Sequence, residues 1–278
     1  MITLELAILV CLGSVLAGLL GSLTGLGGGA VIVPMLVIGF GVDIRYAMGA
    51  SLVSVIATSS GAAAAYVREG YSNIRIGMFL EVATAAGAVI GASAVHLLPT
   101  SFLATVFGSV LIISAILSLN PDQDANLPKE PDRLARILKM DSTYPTLHGP
   151  QSYCVRRVPA GFSAMFGAGI LSGLLGIGSG AFKVLAMDHV MRLPFKVSTT
   201  TSNFMIGVTA AAGAGVYLRH GYVAPGLAMP VIIGTLLGSM TGTSVLLKMN
   251  VKSLRVIFGL VIMAMGVEMI YGGLTRRF

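Results

Sequence analysis

Gly25-Leu26-Gly27-Gly28-Gly29-Ala30 interrupts a long apolar run near the start of the chain, and Gly176-Ile177-Gly178-Ser179-Gly180-Ala181 interrupts another far downstream. Glycine is the poorest helix former after proline, so these stretches unwind a helix and leave backbone N–H and C=O groups without intrahelical partners. In a bilayer such groups must be met by protein, by water in a cavity or by a bound ligand. A helix broken at the same place in both halves of an apolar chain is the sequence feature that points to a transporter's substrate site.

The composition supports that setting. The chain has 278 residues, 55% of them hydrophobic and only 10% charged, with a mean hydropathy of +0.89. A soluble domain of this size cannot hide so much apolar surface, so a polytopic membrane protein is expected. Its 36 glycines suit close helix packing in lipid. Trp is absent, which leaves tyrosines such as Tyr66, Tyr71, Tyr217 and Tyr222 to mark the interfaces. The net charge of +7 does not indicate nucleic-acid binding, because the basic residues sit between apolar segments. The cysteines Cys11 and Cys154 offer neither a disulfide framework nor metal-ligand spacing. The N-terminal apolar run lacks a basic start and continues past Leu20, so it reads as a retained first transmembrane helix.

Apolar segments fall at about 4–22, 30–42, 46–67, 74–98 and 101–119, then at about 161–175, 181–191, 198–218, 224–247 and 253–272. The segments just after the glycine motifs are too short for a straight span, so half-helices or tilted helices are expected there. A gapless internal repeat runs through the chain at one constant shift. Ala17-Gly18 falls on Ala168-Gly169, the glycine motifs superpose, and Tyr66-x-Arg68-x-Gly70-Tyr71 falls on Tyr217-x-Arg219-x-Gly221-Tyr222. The expected organisation is a first transmembrane repeat (1–119), a polar cytoplasmic linker (120–160) and a second transmembrane repeat (161–278). The fold class is all-α, a transmembrane helical bundle of two duplicated halves. Inverted repeats are favoured because secondary transporters commonly use them. The basic loops do not settle orientation: Arg68 and Arg75, Arg192 and Lys196, and Lys248, Lys252 and Arg255 fit on one side in no simple count of crossings.

The motifs suggest anion capture. N–H groups near Gly27, Gly28 and Gly29, and near Gly178, Ser179 and Gly180, open half-helices whose partial positive charge suits a sulfonate, sulfite or carboxylate. Tight helix crossing through small residues is the structural alternative. Ser51 and Thr58 align with Ser202 and Thr209, and Thr200, Thr201, Ser202 and Asn203 form a run of neutral donors able to replace an anion's water shell. Back-bonding to their own helix is the competing role. Among ionisable residues at membrane depth, Lys183 could hold the substrate's charge, pair with Asp188 or snorkel, and Glu81 could carry a coupling proton. An enzyme is not expected: a Gly-x-Ser-x-Gly elbow around Ser179 would need glycine where Ile177 and Ala181 stand.

The glycine motifs, Pro34, Ala50-Ser51-Leu52, Thr58-Ser59 and Thr201-Ser202 together resemble the TauE/SafE family of membrane permeases, the sulfite exporters. The resemblance covers essentially the whole chain outside the linker. It implies a multi-pass inner-membrane protein of duplicated helical halves that moves small sulfur-containing anions such as sulfite or organosulfonates, usually outward. The heavy threonine run and Lys183 depart from the family pattern. A passive anion channel, or a sodium- or proton-coupled importer of a small organic anion, is the alternative. The expected partners are a small anionic substrate and the lipid bilayer, with a homodimer left open. No nucleic acid, cofactor, metal or catalytic residue is expected.

Overall fold

The computed structural model describes residues 4–24, 28–68, 72–119, 132–146, 149–246 and 251–275, so Gly25 to Gly27 lie outside the described residues. The first half comprises α1 (Leu4–Thr24), α2 (Gly29–Pro34) prolonged by a π-helical turn (Met35–Gly39), α3 (Ile44–Arg68), α4 (Ile74–Ala94) and α5 (Thr100–Leu119). Then come the short helix α6 (Arg133–Ile137) and an antiparallel hairpin of β1 (Ser142–Thr146) and β2 (Gly149–Tyr153). The second half repeats the first: α7 (Val158–Leu175), α8 (Gly180–Leu185) with its π turn (Ala186–Val190), α9 (Phe195–Arg219), α10 (Pro225–Leu246) and α11 (Val251–Leu274). Pro34 lacks an N–H, which accounts for the widened turn after α2, but its mate Leu185 is followed by the same widening. The π turn therefore belongs to the architecture and does not depend on the proline.

Among the described residues, three stretches are long and apolar enough to cross a membrane, Leu4–Gly21, Ile74–Leu97 and Val158–Leu175, with shorter apolar helical stretches at Gly29–Gly39, Thr100–Ile116, Pro225–Thr241 and Gly259–Leu274. Polarity is arranged as a bilayer requires. Leu4, Ile8, Leu12 and Leu16 face outward along α1, whereas Ser51, Glu81, Thr84, Lys183, Ser202 and Thr209 are buried.

The two halves are interlaced. α1 packs on α10 and α4 on α7, while α3 meets α9 and α5 meets α11 across the centre. Glycine permits the crossings: a Cβ on Gly18 would stand 2.7 Å from the Thr235 Cα, and on the mate Gly169 it would stand 2.8 Å from the Thr84 Cα.

Chain direction follows from a few contacts. The Arg156 N–H, just before α7, donates to Met191 C=O at 3.2 Å, so the short pair after the second break returns the chain to the face where α7 begins. α9 starts there too. So does α4, because the Asn73 N–H donates to Thr201 Oγ1 at 3.0 Å. On the opposite face Arg45, in the first turn of α3, donates to Leu98 C=O at 2.8 Å, and Tyr46 meets Tyr222 edge to face at 5.8 Å. α3 and its mate α9 thus run in opposite senses, which is consistent with inverted repeats.

This directionality corrects the loop reading made above. Arg75, Arg192 and Lys196 share the face of α6 and the hairpin, and α10, which starts on the other face, also ends there. Arg75, Arg192 and Lys196 do lie on one side, because the short broken segment brings the chain back across and a count of long spans misses it; Lys248 lies outside the described residues.

The interval between the halves is more than a tether. Met140, Tyr144, Tyr153 and Val155 are buried in one cluster with Ile76, Leu80, Met165, Met191 and Val197. Asn73 fastens it: its Oδ1 caps α4 by accepting from the Ile76 N–H at 3.1 Å, and its Nδ2 donates to Met140 C=O at 2.9 Å and Tyr153 Oη at 2.7 Å. Burial pushes the Tyr153 phenol above its ordinary pKa of 10.0. A group raised on folding contributes stability that is complete below its unfolded pKa and lost as pH rises through the folded one. Hydrogen exchange of residues 149–153 is therefore expected to quicken above about pH 10 in the wild type. In Tyr153→Phe that step should disappear, at a cost of about 1 kcal/mol in docking. An unchanged step in the variant would assign it elsewhere.

Candidate substrate site

The second break is a run of left-handed backbone. Gly176 ends α7 with φ 68°, and its N–H donates to Ser172 C=O at 2.9 Å; Gly178 follows at φ 73° and Ser179 at φ 49°. Gly176 and Gly178 adopt this conformation freely, whereas Ser179 does so at a cost of roughly 1–2 kcal/mol. Gly28, the mate of Ser179, has ordinary helical angles, φ −62° and ψ −16°. The strained member of the pair is thus the serine. Ser179 Oγ is moreover buried with no hydrogen-bond partner, an arrangement that in folded proteins collects at functional positions.

The two breaks touch. A methyl group on Gly29 would stand 2.6 Å from Ser51 Oγ and 3.1 Å from Ile177 Cα. Ser51 Oγ donates to Gly176 C=O at 2.8 Å, so a first-half hydroxyl satisfies a carbonyl orphaned by the second-half break. Ser202 Oγ donates to Gly180 C=O at 3.2 Å. Between the breaks and α5 lies a small cavity walled by Ala30, Leu111, Ser114, Ile177, Ser179, Gly180 and Phe182. It has room for about one water molecule.

Of the residues singled out from sequence, Gly28, Gly29, Ser51, Gly178, Ser179, Gly180 and Ser202 gather around this junction, and Asn203 is buried one residue further along α9. The others serve the scaffold. Thr58 Oγ1 donates to Val55 C=O at 3.2 Å, Thr200 Oγ1 to Lys196 C=O at 2.9 Å, and Thr201 Oγ1 receives the Asn73 N–H under the docked hairpin. Gly27 falls outside the described residues.

Lys183, one turn beyond Ser179, is fully buried. Its partner is Glu81 of α4; Asp188, the partner weighed from sequence, lies 3.5 Å from His189. Lys183 Nζ donates to Thr209 Oγ1, Thr209 Oγ1 donates to Glu81 Oε1 at 2.6 Å, and Nζ lies 4.0 Å from Glu81 Oε2. Ser114 and Asn73 carry no motif and were invisible to sequence reasoning; the mate of Ser114 is the apolar Met265. The repeat did flag Thr209, through Thr58, without revealing that it bridges two charges.

Comparison with known proteins agrees with this architecture. The family model described as "Sulfite exporter TauE/SafE" matches residues 10–269. "Probable membrane transporter protein YunE" of Bacillus subtilis is 28% identical over 278 residues, covering 98% of this chain and 99% of the relative. YdhB of the same organism, which carries the same description, is 28% identical over 249 residues, 88% of this chain and 94% of its own. A probable membrane transporter protein of Methanocaldococcus jannaschii is 25% identical over 282 residues, 96% of either chain. No solved structure matches significantly.

Proposed function

Because the chain belongs to the TauE/SafE family and is a multi-pass membrane transporter, we propose that it carries small sulfur-containing anions, such as sulfite or an organosulfonate, outward across the inner membrane. One observation carries the reading: a strained, buried and unpartnered Ser179 hydroxyl sits at the wall of a cavity where two broken helices meet. The first N–H groups of a helix lack intrahelical acceptors and complement an oxyanion's lone pairs, and both α2 and α8 open at a break. Ser179 Oγ adds a neutral donor, and Lys183 lies one turn away. In transport, one packed group of helices, drawn from both halves, would rock against another to open the site to each face in turn.

The basic residues are unevenly divided between the two faces. Arg75, Arg133, Arg136, Lys139, Arg156, Arg157, Arg192 and Lys196 belong to the hairpin face, while Arg45 and Arg219 belong to the opposite one. A basic face is retained in the cytoplasm, so the hairpin would be cytoplasmic. An interior-negative potential then favours exit of each net negative charge by about 2.3 kcal/mol per 100 mV.

The test is a thermal-shift screen of the detergent-purified protein against sulfite, thiosulfate, sulfoacetate, taurine and simple carboxylates. A ligand at a hundred times its Kd should stabilise by about 2.7 kcal/mol. Stabilisation by a sulfur oxyanion in the wild type, abolished in Ser179→Leu, is the expected result. Stabilisation by carboxylates alone would replace the substrate class, and an unchanged shift in Ser179→Leu would remove the site.

A further inference from the structure

The carboxylate–ammonium pair stands in one half only. Its mates under the repeat are apolar, Ile232 for Glu81 and Ile32 for Lys183, whereas the threonines are kept, Thr235 for Thr84 and Thr58 for Thr209. A purely structural bridge between packed helices would not need charge, since the other half packs without it. Burying two charges costs several kcal/mol per ion before their attraction repays it. What a neutral pair supplies that two isoleucines do not is a place where net charge changes when one small ion arrives.

The hydrogen bonds around Thr209 can rearrange for that event. Its single hydroxyl proton has three acceptors within reach: Glu81 Oε1 at 2.6 Å, Met205 C=O at 3.1 Å and Thr84 Oγ1 at 3.3 Å. It can serve one at a time. An ammonium can only donate and a carboxylate can only accept, so the arrangement seen, Lys183 to Thr209 to Glu81, belongs to the ionised pair. Glu81 Oε2 is buried and makes no hydrogen bond. A proton arriving there neutralises the carboxylate, and Oε1, now the carbonyl oxygen of the acid, can still accept from Thr209, which in turn still accepts from Lys183.

Among the described residues no other charge shares this interior. α5 and α7 carry no ionisable residue; on α4 the other is Arg75 in the first turn, and η-turn residues Asp188 and His189 face one another. Lys196, Tyr217 and Arg219 stand at the two ends of α9, and Arg45, Tyr46, Tyr66 and Arg68 at the two ends of α3, with His96 just beyond α4.

We propose that Glu81 is a proton-binding site coupled to anion binding: a proton on Glu81 releases Lys183 from its counter-ion, and Lys183 then balances the anion held at the neighbouring break. This rests on the reading of the chain as an anion carrier. Glutamic acid, ammonium and a monoanion sum to zero, the same net charge as the empty glutamate–ammonium pair, so the low-dielectric interior never gains a charge. A monoanion then travels electroneutrally with one proton. A dianion leaves with one net negative charge, and the membrane potential still favours its exit.

Two measurements test this. Infrared difference spectra of the purified protein between pH 9 and pH 5 need no substrate: the wild type should gain a buried carboxylic-acid carbonyl band that is missing in Glu81→Gln. Identical spectra for the two proteins would overturn the proposal. If Glu81→Gln does not fold, the double variant Glu81→Gln/Lys183→Met, neutral throughout, takes its place. In proteoliposomes methanesulfonate, whose charge does not titrate in this range, should enter with one proton per anion by external pH recording, and that ratio should fall to zero in the variant. A ratio of zero in the wild type overturns the coupling. Absence of all anion movement in the wild type, with the infrared band present, would sink the transport reading while leaving the proton site.

Discussion

Replacing Lys183 with methionine is expected to destabilise the protein by about 3–5 kcal/mol, because it strands a buried carboxylate without its counter-ion. Methionine fills most of the volume of the lysine stem, so little of that loss is cavity formation. Glu81, only 7% exposed, would keep the Thr209 hydroxyl as a donor but no positive charge beside it. Removing both charges together, as Lys183→Met with Glu81→Gln, should recover most of the loss, since a neutral interior needs no compensation. Thermal unfolding of the single and double variants in one detergent measures this directly. A single variant as stable as wild type would mean that water reaches the pair.

Gly173→Leu should cost at least about 3 kcal/mol and disturb the α4–α7 crossing. A Cβ there would stand 2.7 Å from the Ala88 carbonyl carbon and 2.8 Å from its Cα. The obstacle is backbone, which no rotamer change can clear, so the two helices would have to separate. Gly215→Ala in α9 is the matched control: nothing lies within 4 Å of its Cβ position, and a gain in helix propensity of up to about 1 kcal/mol is expected. Yields and melting temperatures of the two variants should move in opposite directions. Equal effects would show that glycine content, and not this crossing, is what the chain requires.

The helical framework was legible because its signals are local and repeated. Apolar runs bounded by glycine, proline and charge gave each span to within a few residues, and the repeat assigned every element of one half its mate in the other. The breaks were legible for the same reason, since glycine clusters disfavour helix wherever they stand. Long-range pairing was not. The partner of Lys183 lies in the other half of the chain, and no local pattern distinguishes Glu81 from the nearer Asp188. The threonines were ambiguous in kind, because a hydroxyl that back-bonds its own helix and one that bridges two charges look alike in sequence. Only contacts separate Thr200, which binds the Lys196 carbonyl, from Thr209. The docked hairpin was hidden too: no local pattern ties Asn73 to the place where Tyr153 arrives.

The interlacing of the halves has a consequence for how the protein is made. α1 enters the bilayer first, yet its packing partner α10 is synthesised only when most of the chain is complete. Until then α1 lacks the neighbour on which it packs most extensively and is held in the lipid largely by its own transfer free energy. α4 waits for less of the chain, since α7 opens the second half, and α7 inserts beside a partner already in place. The best windows of the three follow that order, with hydropathy 2.2 in α1, 1.7 in α4 and 1.6 in α7. Among these three helices, the apolarity of the best window falls in the order of the time each spends without that partner.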